Sequence, residues 1–405
     1  MIIQVNWRRT MNNIKLNQFS TSTFLKDVLI CSLGAFGGPE AHYGVFMQQM
    51  VVKKNYLSEE ELLELIALTG VLPGPSSTQA IIAIGYKMGG PKLGLLTLLV
   101  WALPIVLFMT LLSFAFEFLV NNNLSLNIVR YVGAMAIGFI LLATFRISKK
   151  VIKDNLTLSL FIFSAVLSYL FRSAWIYPIL LLIGGLVSIF SQKHKIVINR
   201  VKINPPWIYL IIFSIIAIAN IGLATLISNP LASIFEKFYR YGYLVIGGGQ
   251  VVIPMMYSEL VDGFKYLSSQ EFLVGYGFVQ GMPGPMFSFS AFVGGLALRD
   301  SGSVLQFLGG LTASLGIFLP GTLLIYFVIP VWEQFKKSEV IKASLKGILA
   351  VAGGFMLTIA LVLIIRNGLD FMSILVIIGT TLLLWSDKVP APWIVFGVLL
   401  LGVLI

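Results

Sequence analysis

A Leu72-Pro73-Gly74-Pro75 run returns as Met282-Pro283-Gly284-Pro285, and both copies lie inside apolar sequence where a helix would otherwise continue. Proline removes a backbone donor and clashes with the preceding turn, and the residue before it leaves the α region. Interrupted helices at two matching places restrict the chain to a duplicated architecture. The match extends further. At the offset that takes Pro73 to Pro283, Gly37-Gly38 meets Gly247-Gly248, Tyr56-Leu57-Ser58 meets Tyr266-Leu267-Ser268, Glu61 meets Glu271 and Gly85 meets Gly295. After a short insertion, Leu103-Pro104 meets Leu319-Pro320, and Ala134, Ala136, Gly138 and Phe139 meet Ala350, Ala352, Gly354 and Phe355. Duplicated apolar units with breaks at corresponding places are the pattern of secondary transporters.

Composition excludes a soluble domain. The chain is 58% hydrophobic and 11% charged, against roughly a quarter charged in soluble proteins. Apolar runs long enough to span recur at 93–118, 132–143, 207–227, 307–331 and 348–365. The first 22 residues carry Arg8, Arg9 and Lys15 without an apolar core and cleavage site, so they read as a cytoplasmic tail. The single cysteine, Cys31, reads as a small buried apolar residue. The net charge of +11 sits in short loops between spans, where it sets orientation in the bilayer and gives no reason to expect nucleic acid. No GxxxxGK[ST] run and no Cys/His cluster is present, so neither ATP drive, a cofactor nor a metal is expected. Enzyme chemistry has no supporting constellation.

The segments 24–36, 40–53, 58–72 and 76–88 are each about 14 residues and cover roughly 20 Å, too short for a hydrocarbon core of about 30 Å. They read as two hairpins of half-length helices with tips at Phe36–Glu40 and Pro73–Pro75. Longer spans follow at 93–118 and 127–147, then short segments at 155–171 and 174–190. The second unit repeats this order and ends with 371–385 and 391–405. The expected division is a tail (1–23), a first repeat (24–191), a basic linker with one unmatched helix (192–230) and a second repeat (231–405). One extra crossing can invert the second repeat, and the loop charges agree. Lys53, Lys54, Lys87, Lys92, Arg146, Lys149, Lys150 and Lys153 crowd the first repeat's loops, while 119–129 carries no charge. In the second repeat Asp262 balances Lys265, Asp300 balances Arg299 and Asp370 balances Arg366. The basic loop there holds Lys336, Lys337, Lys342 and Lys346. All basic loops are cytoplasmic only if the hairpins are re-entrant and the repeats inverted. The fold expected is an all-α polytopic membrane protein of two inverted repeats, each with two re-entrant hairpins followed by spanning helices.

Irregular backbone at membrane depth must line a cavity or be covered by protein. After the break, Ser76, Ser77, Thr78 and Gln79 open a new helix whose free N–H groups and dipole favour an anion. The second repeat offers Ser288 and Ser290 after Pro285, with Gln280 before the break. The competing reading is a kink with serine caps. The other tip pairs Gly37-Gly38-Pro39-Glu40-Ala41-His42 with Gly247-Gly248-Gly249-Gln250-Val251-Val252. Glu40 has only neutral Gln250 opposite it. A carboxylate at this depth can serve coupling to a proton or cation, or act as a helix cap. His42 can titrate near neutral pH or hydrogen-bond in the interior. Glu59, Glu60, Glu61 and Glu64 after Ser58 read as a capping box and solvated face. Tyr86, Lys87, Arg299 and Asp300 read as surface anchors.

These residues resemble the CHR family of chromate ion transporters in its long, two-domain form. The resemblance rests on Phe36-Gly37-Gly38-Pro39, Ala41-His42, Leu57-Ser58, Leu72–Pro75, Gly85 and Leu103-Pro104, with Pro283–Pro285 and Leu319-Pro320 in the second half. It implies a multi-pass carrier of the bacterial inner membrane that exports chromate, with homologous halves of opposite orientation. It leaves the anion open, because chromate and sulfate are both tetrahedral dianions. The substrate-binding set expected is Gly37, Gly38, Pro73, Gly74, Pro75, Ser76, Ser77, Gln79, Gly247, Gly248, Gln250, Gln280, Pro283, Gly284, Pro285 and Ser288, with Glu40 and His42 for coupling. A sulfate or other anion importer and an uncoupled channel are the alternatives, and a homo-oligomer is compatible with all three.

Overall fold

The computed structural model describes residues 20–121, 126–171, 176–191, 205–226, 229–245, 252–332, 339–366 and 370–404. Those residues are helical with short connections, and no strand occurs among them. The first repeat opens with α1 (Thr21–Gly34) and α2 (Pro39–Phe46), which continues as a π-wound segment over Met47–Lys53. The next hairpin is α3 (Glu59–Val71) and the start of α4 (Ser76–Asn121). Then come α5 (Val132–Val151), α6 (Asn155–Leu170) and α7 (Ile176–Phe190). The unmatched helix is α8 (Trp207–Leu226). The second repeat runs α9 (Pro230–Leu244), α10 (Ile253–Tyr257) with a π-wound Ser258–Gly263, and α11 (Ser269–Gly281). It ends with α12 (Phe289–Ala297), α13 (Ser303–Val328), α14 (Glu339–Arg366), α15 (Phe371–Trp385) and α16 (Ala391–Leu404).

Local chemistry explains the breaks. α3 stops at Val71 because Leu72 precedes Pro73 and takes an extended conformation, ψ 146°. Met282 does the same at the end of α11, ψ 149°. Both second hairpins start on a capping box, Ser58 with Glu61 and Ser268 with Glu271. The correspondence between repeats reaches the π-wound segments and the left-handed residues behind them, Asn55 and Lys265. Two boundaries differ from the sequence expectation. The span expected at 127–147 stays helical to Val151, so Arg146, Lys149 and Lys150 lie on α5 and not in a loop. The half-helix at 76–88 and the span at 93–118 form one run, interrupted only by non-helical Gly89 and Gly90.

Among the described residues, four helices are long and apolar enough to cross a membrane: Ser76–Val120, Asn127–Val151, Ser303–Val331 and Lys342–Arg366. The outer surface carries exposed Ile30, Leu33, Leu182, Phe190, Trp393 and Leu404, and α8 exposes Ile211, Ile215 and Ile218 on one stripe. A soluble protein would not present such a belt; lipid accommodates it.

The repeats interlock reciprocally. Gly74 N–H donates to Val245 O at 2.7 Å, and Gly284 N–H donates to the equivalent Ala35 O at 2.8 Å. Each Pro-Gly-Pro tip therefore ends against the first helix of the other repeat. Gly74 also packs on Gly321, next to Pro320 of α13, and Gly284 packs on Ile105, next to Pro104 of α4. The same exchange holds the rear half together. A methyl group at Gly138 would meet Thr380, and one at the equivalent Gly354 would meet Ser164. α5 packs against α15, and α14 packs against α6 and α7. Close approach at glycine lets backbones meet where apolar attraction between helices is weak.

Candidate functional site

A cavity of about 1000 Å³ opens between the repeats. Its inner end is lined by Gly37 and Pro39 at the first hairpin tip, Ser76 at the start of α4, and Gln280 from α11. One wall is a continuous face of α5 from Phe139 through Arg146 to Lys150, and the opposite wall is Leu349 and Ala352 of α14. Arg146, Lys149 and Lys150 stand at the mouth beside Asp387. Arg146 donates to Asp387 Oδ1 at 2.6 Å. Two cations remain beyond that pair, so the entrance carries a positive potential that draws anions.

The first tip is built by glycine. Gly37 and Gly38 have φ of 85° and 92°, which turns the chain so that Pro39 starts α2. His42, one turn into α2, is buried and its Nδ1 lies 2.9 Å from Ser77 Oγ. Its ring sits edge-on to Trp101 at 5.4 Å, and the Trp101 indole N–H donates to Thr78 Oγ1 at 3.1 Å. The carbonyl of Trp101, one turn before Pro104, accepts from the Ser32 hydroxyl at 2.7 Å. His42 thus ties the two hairpin tips of the first repeat together behind the cavity wall. The Glu40 side chain lies outside what the structure describes, as do Gly247, Gly248 and Gln250.

Gln79 bridges the repeats. Its Nε2 donates to Pro73 O at 2.8 Å and to Gly321 O at 3.0 Å. The two carbonyls fix the orientation of the amide and leave Oε1 buried without a protein partner. Ser288 Oγ is also buried without one. Gln280 Nε2 contacts Met286 Sδ at 3.6 Å. Of the expected binding set, Gly37, Ser76 and Gln280 line the cavity together. Gly74, Gly284, Gln79 and Ser288 lie in the packed joints between repeats.

Several groups were not singled out from sequence. Arg146, Lys149 and Lys150 read there only as orientation signals. Asp27 is buried and accepts from Gln49 at 2.8 Å and Tyr56 at 2.6 Å, with Lys54 Nζ at 3.3 Å. Glu259, at the position equivalent to Gln49, accepts from Arg240 and Tyr241. Charged residues inside apolar helices were the available signal for both. Lys87 and Arg299 are more than surface anchors: they pair with the capping carboxylates Glu61, at 3.2 Å, and Glu271, at 2.5 Å.

Comparison with known proteins agrees with this architecture. The profile of the chromate transporter family matches residues 23–189 and again 232–403. A probable chromate transport protein of Synechococcus elongatus is 28% identical over 391 residues, covering 95% of this chain and 94% of that one. A chromate transport protein of Cupriavidus metallidurans is 25% identical over 377 residues, covering 91% and 88%. An uncharacterized transporter of Methanocaldococcus jannaschii is 23% identical over 379 residues, covering 92% and 91%. No solved structure matches the chain. A profile that fits twice, over most of an all-helical membrane chain, settles the family: this protein belongs to the chromate transporters.

Proposed function

We propose that the chain is a secondary transporter that carries chromate, or a similar tetrahedral oxyanion, outward across the bacterial inner membrane by alternating access. The observation that carries this reading is the large cavity, with three cations and one carboxylate at its mouth and a helix N-terminus at its inner end. A dianion entering it loses water and needs donors. Ser76 supplies a hydroxyl and the unpaired N–H groups of the first turn of α4, where the helix dipole also favours negative charge. Gln280 supplies a further polar group across the cavity. The names of the relatives in Synechococcus elongatus and Cupriavidus metallidurans support chromate as the anion.

Direction follows from charge. Short basic segments at the ends of spans stay in the cytoplasm, and Arg146, Lys149 and Lys150 at the end of α5 border the cavity mouth. These charges support a cytoplasmic N-terminus and a cavity open to the cytoplasm, as an exporter requires to collect its cargo. The same charges favour opposite orientations for the repeats, and their reciprocal packing supports a two-fold relation. Glu40 is the coupling candidate, since a carboxylate near a dianion must neutralise or move as the anion binds. Sulfate import is the competing reading, because helix N-termini and hydroxyls select tetrahedral anions by charge and shape alone.

Flux of radiolabelled chromate, sulfate, molybdate and phosphate in proteoliposomes, with and without a pH gradient, tests the reading. Saturable chromate movement that responds to the gradient is expected. Movement of sulfate alone, or linear uncoupled flux, would overturn it.

A further inference from the structure

We infer that the exit route runs along one face of α14 and is closed in this structure at the ring pair Tyr177–Phe355, while the repeat-equivalent face of α5 forms the open entrance. This rests on the transport reading above. Leu349 and Ala352 of α14 wall the cavity, and Ala352 is shared with the next space. That space is a void of about 10 Å³ lined by Ala352, Phe355, Tyr177 and Met255. A second void of about 20 Å³ shares Tyr177 and is lined by Ser258, Thr358, Val362 and Asp262. The chain of spaces then reaches an open depression of about 810 Å³ that shares Asp262 and contains Lys265, Glu271, Arg299 and Arg366. Each small void holds about one water. A tetrahedral oxyanion cannot pass.

The lining residues of α14 are Leu349, Ala352, Phe355, Thr358, Ile359, Val362 and Arg366. Apart from the adjacent Thr358 and Ile359 they recur every three or four residues, which puts them on one helical face. At 1.5 Å per residue the row covers roughly 26 Å, close to a hydrocarbon core of about 30 Å. The route therefore has the length a crossing needs. Its tightest part is lined mainly by apolar residues, the second void adds the hydroxyls of Ser258 and Thr358, and both ends carry more cations than carboxylates.

The repeat relation supplies a second, independent argument. The offset that takes Pro104 to Pro320 takes Phe139 to Phe355, Ala143 to Ile359, Arg146 to Val362 and Lys150 to Arg366. The α5 members of those pairs line the open cavity. Their α14 counterparts line the closed voids or, for Arg366, the far depression. One face of the same repeated helix is thus wet in one unit and shut in the other. Exchange of the two arrangements is what inverted repeats permit. At the constriction the Tyr177 and Phe355 centroids are 4.9 Å apart with the rings nearly perpendicular. The Tyr177 hydroxyl donates to Pro254 O at 3.4 Å, a long bond that opens at small cost.

Thiol accessibility in sealed vesicles tests this, using a membrane-impermeant anionic methanethiosulfonate on the cavity side. Cys31→Ala removes the native thiol. Ala143→Cys should react at least tenfold faster than Ile359→Cys. Adding Phe355→Ala to Ile359→Cys should raise its rate at least tenfold, whereas adding Tyr177→Phe should leave it slow. Equal reactivity of the two cysteines with the rings intact would overturn the inference. So would an Ile359→Cys that stays unreactive after Phe355→Ala in protein that still folds as the wild type does. If Phe355→Ala does not fold, Phe355→Leu replaces it, and the comparison with intact rings decides on its own. The labelling needs no substrate, so absence of chromate flux would sink the functional reading without being mistaken for failure of the route.

Discussion

Gly74 sits at a φ of +130°, and a methyl group there would fall 2.5 Å from Gln79 Nε2 and 2.9 Å from Gly321 Cα. Both neighbours are fixed, one by two hydrogen bonds and one by backbone. Gly74→Ala should therefore cost about 1–3 kcal/mol in strain and lower the thermal unfolding midpoint in detergent. Gly44→Ala is the control: nothing lies within 4 Å of its added methyl group, and a helix-interior change of this kind gains about 0.5–1 kcal/mol. An equal loss in both variants would contradict the close packing of the tip. Glu40→Gln addresses coupling instead. If Glu40 carries the proton, the variant should express and bind anion normally while its transport loses its response to pH. Unchanged pH dependence would leave Glu40 as a helix cap. The break at Pro73-Gly74-Pro75 was legible in sequence because Pro and Gly act locally. The seat of Gly74 on Gly321 was not, since nothing local links residues in different repeats.

α5 ends in Arg146, Lys149 and Lys150, and its packing against α15 brings those cations to one cavity with Asp387. Sequence displayed the charges and the helix but not the partner helix, so they read as topology signals and the cavity was invisible. Neutralising Lys149 and Lys150 to Gln should raise the KM for the anion several-fold, with the wild-type advantage shrinking as salt is added. A KM independent of both charge and salt would remove them from the entry path. The turn before α6 holds a second tie between repeats, the ion pair of Asp154 with Lys346. Lys346 and the Thr157 backbone N–H hold the Asp154 carboxyl down, to about 2. A lowered carboxylate contributes its stability above its ordinary value of about 3.9 and loses it only as pH falls through the lowered one. This tie is therefore intact between about pH 8 and pH 5, and Asp154→Asn should leave the pH profile of transport in that range unchanged. As an exposed pair it is worth about 0–1 kcal/mol, which a thermal melt of the variant measures.

Across the whole molecule, the half-length helices, their order and the two-fold matching of their breaks could all be read from the chain, because repetition and helix length are sequence properties. The interlocking of the repeats and the constriction at Tyr177–Phe355 could not, because they depend on which faces meet. If the repeats are inverted, Lys150→Cys and Arg366→Cys, equivalent positions on α5 and α14, should label from opposite sides of the membrane in a Cys31→Ala background. Labelling from one side would make the repeats parallel. The central claim, that the basic cavity admits an oxyanion for transport, is met most directly by chromate flux in proteoliposomes. Wild-type protein is compared there with the Arg146→Gln, Lys149→Gln, Lys150→Gln triple variant. Saturable flux in the wild type, falling at least tenfold at sub-saturating chromate in a triple variant that folds normally, is the predicted result. Wild-type flux no greater than in empty liposomes, or flux that the triple variant retains in full, would contradict it.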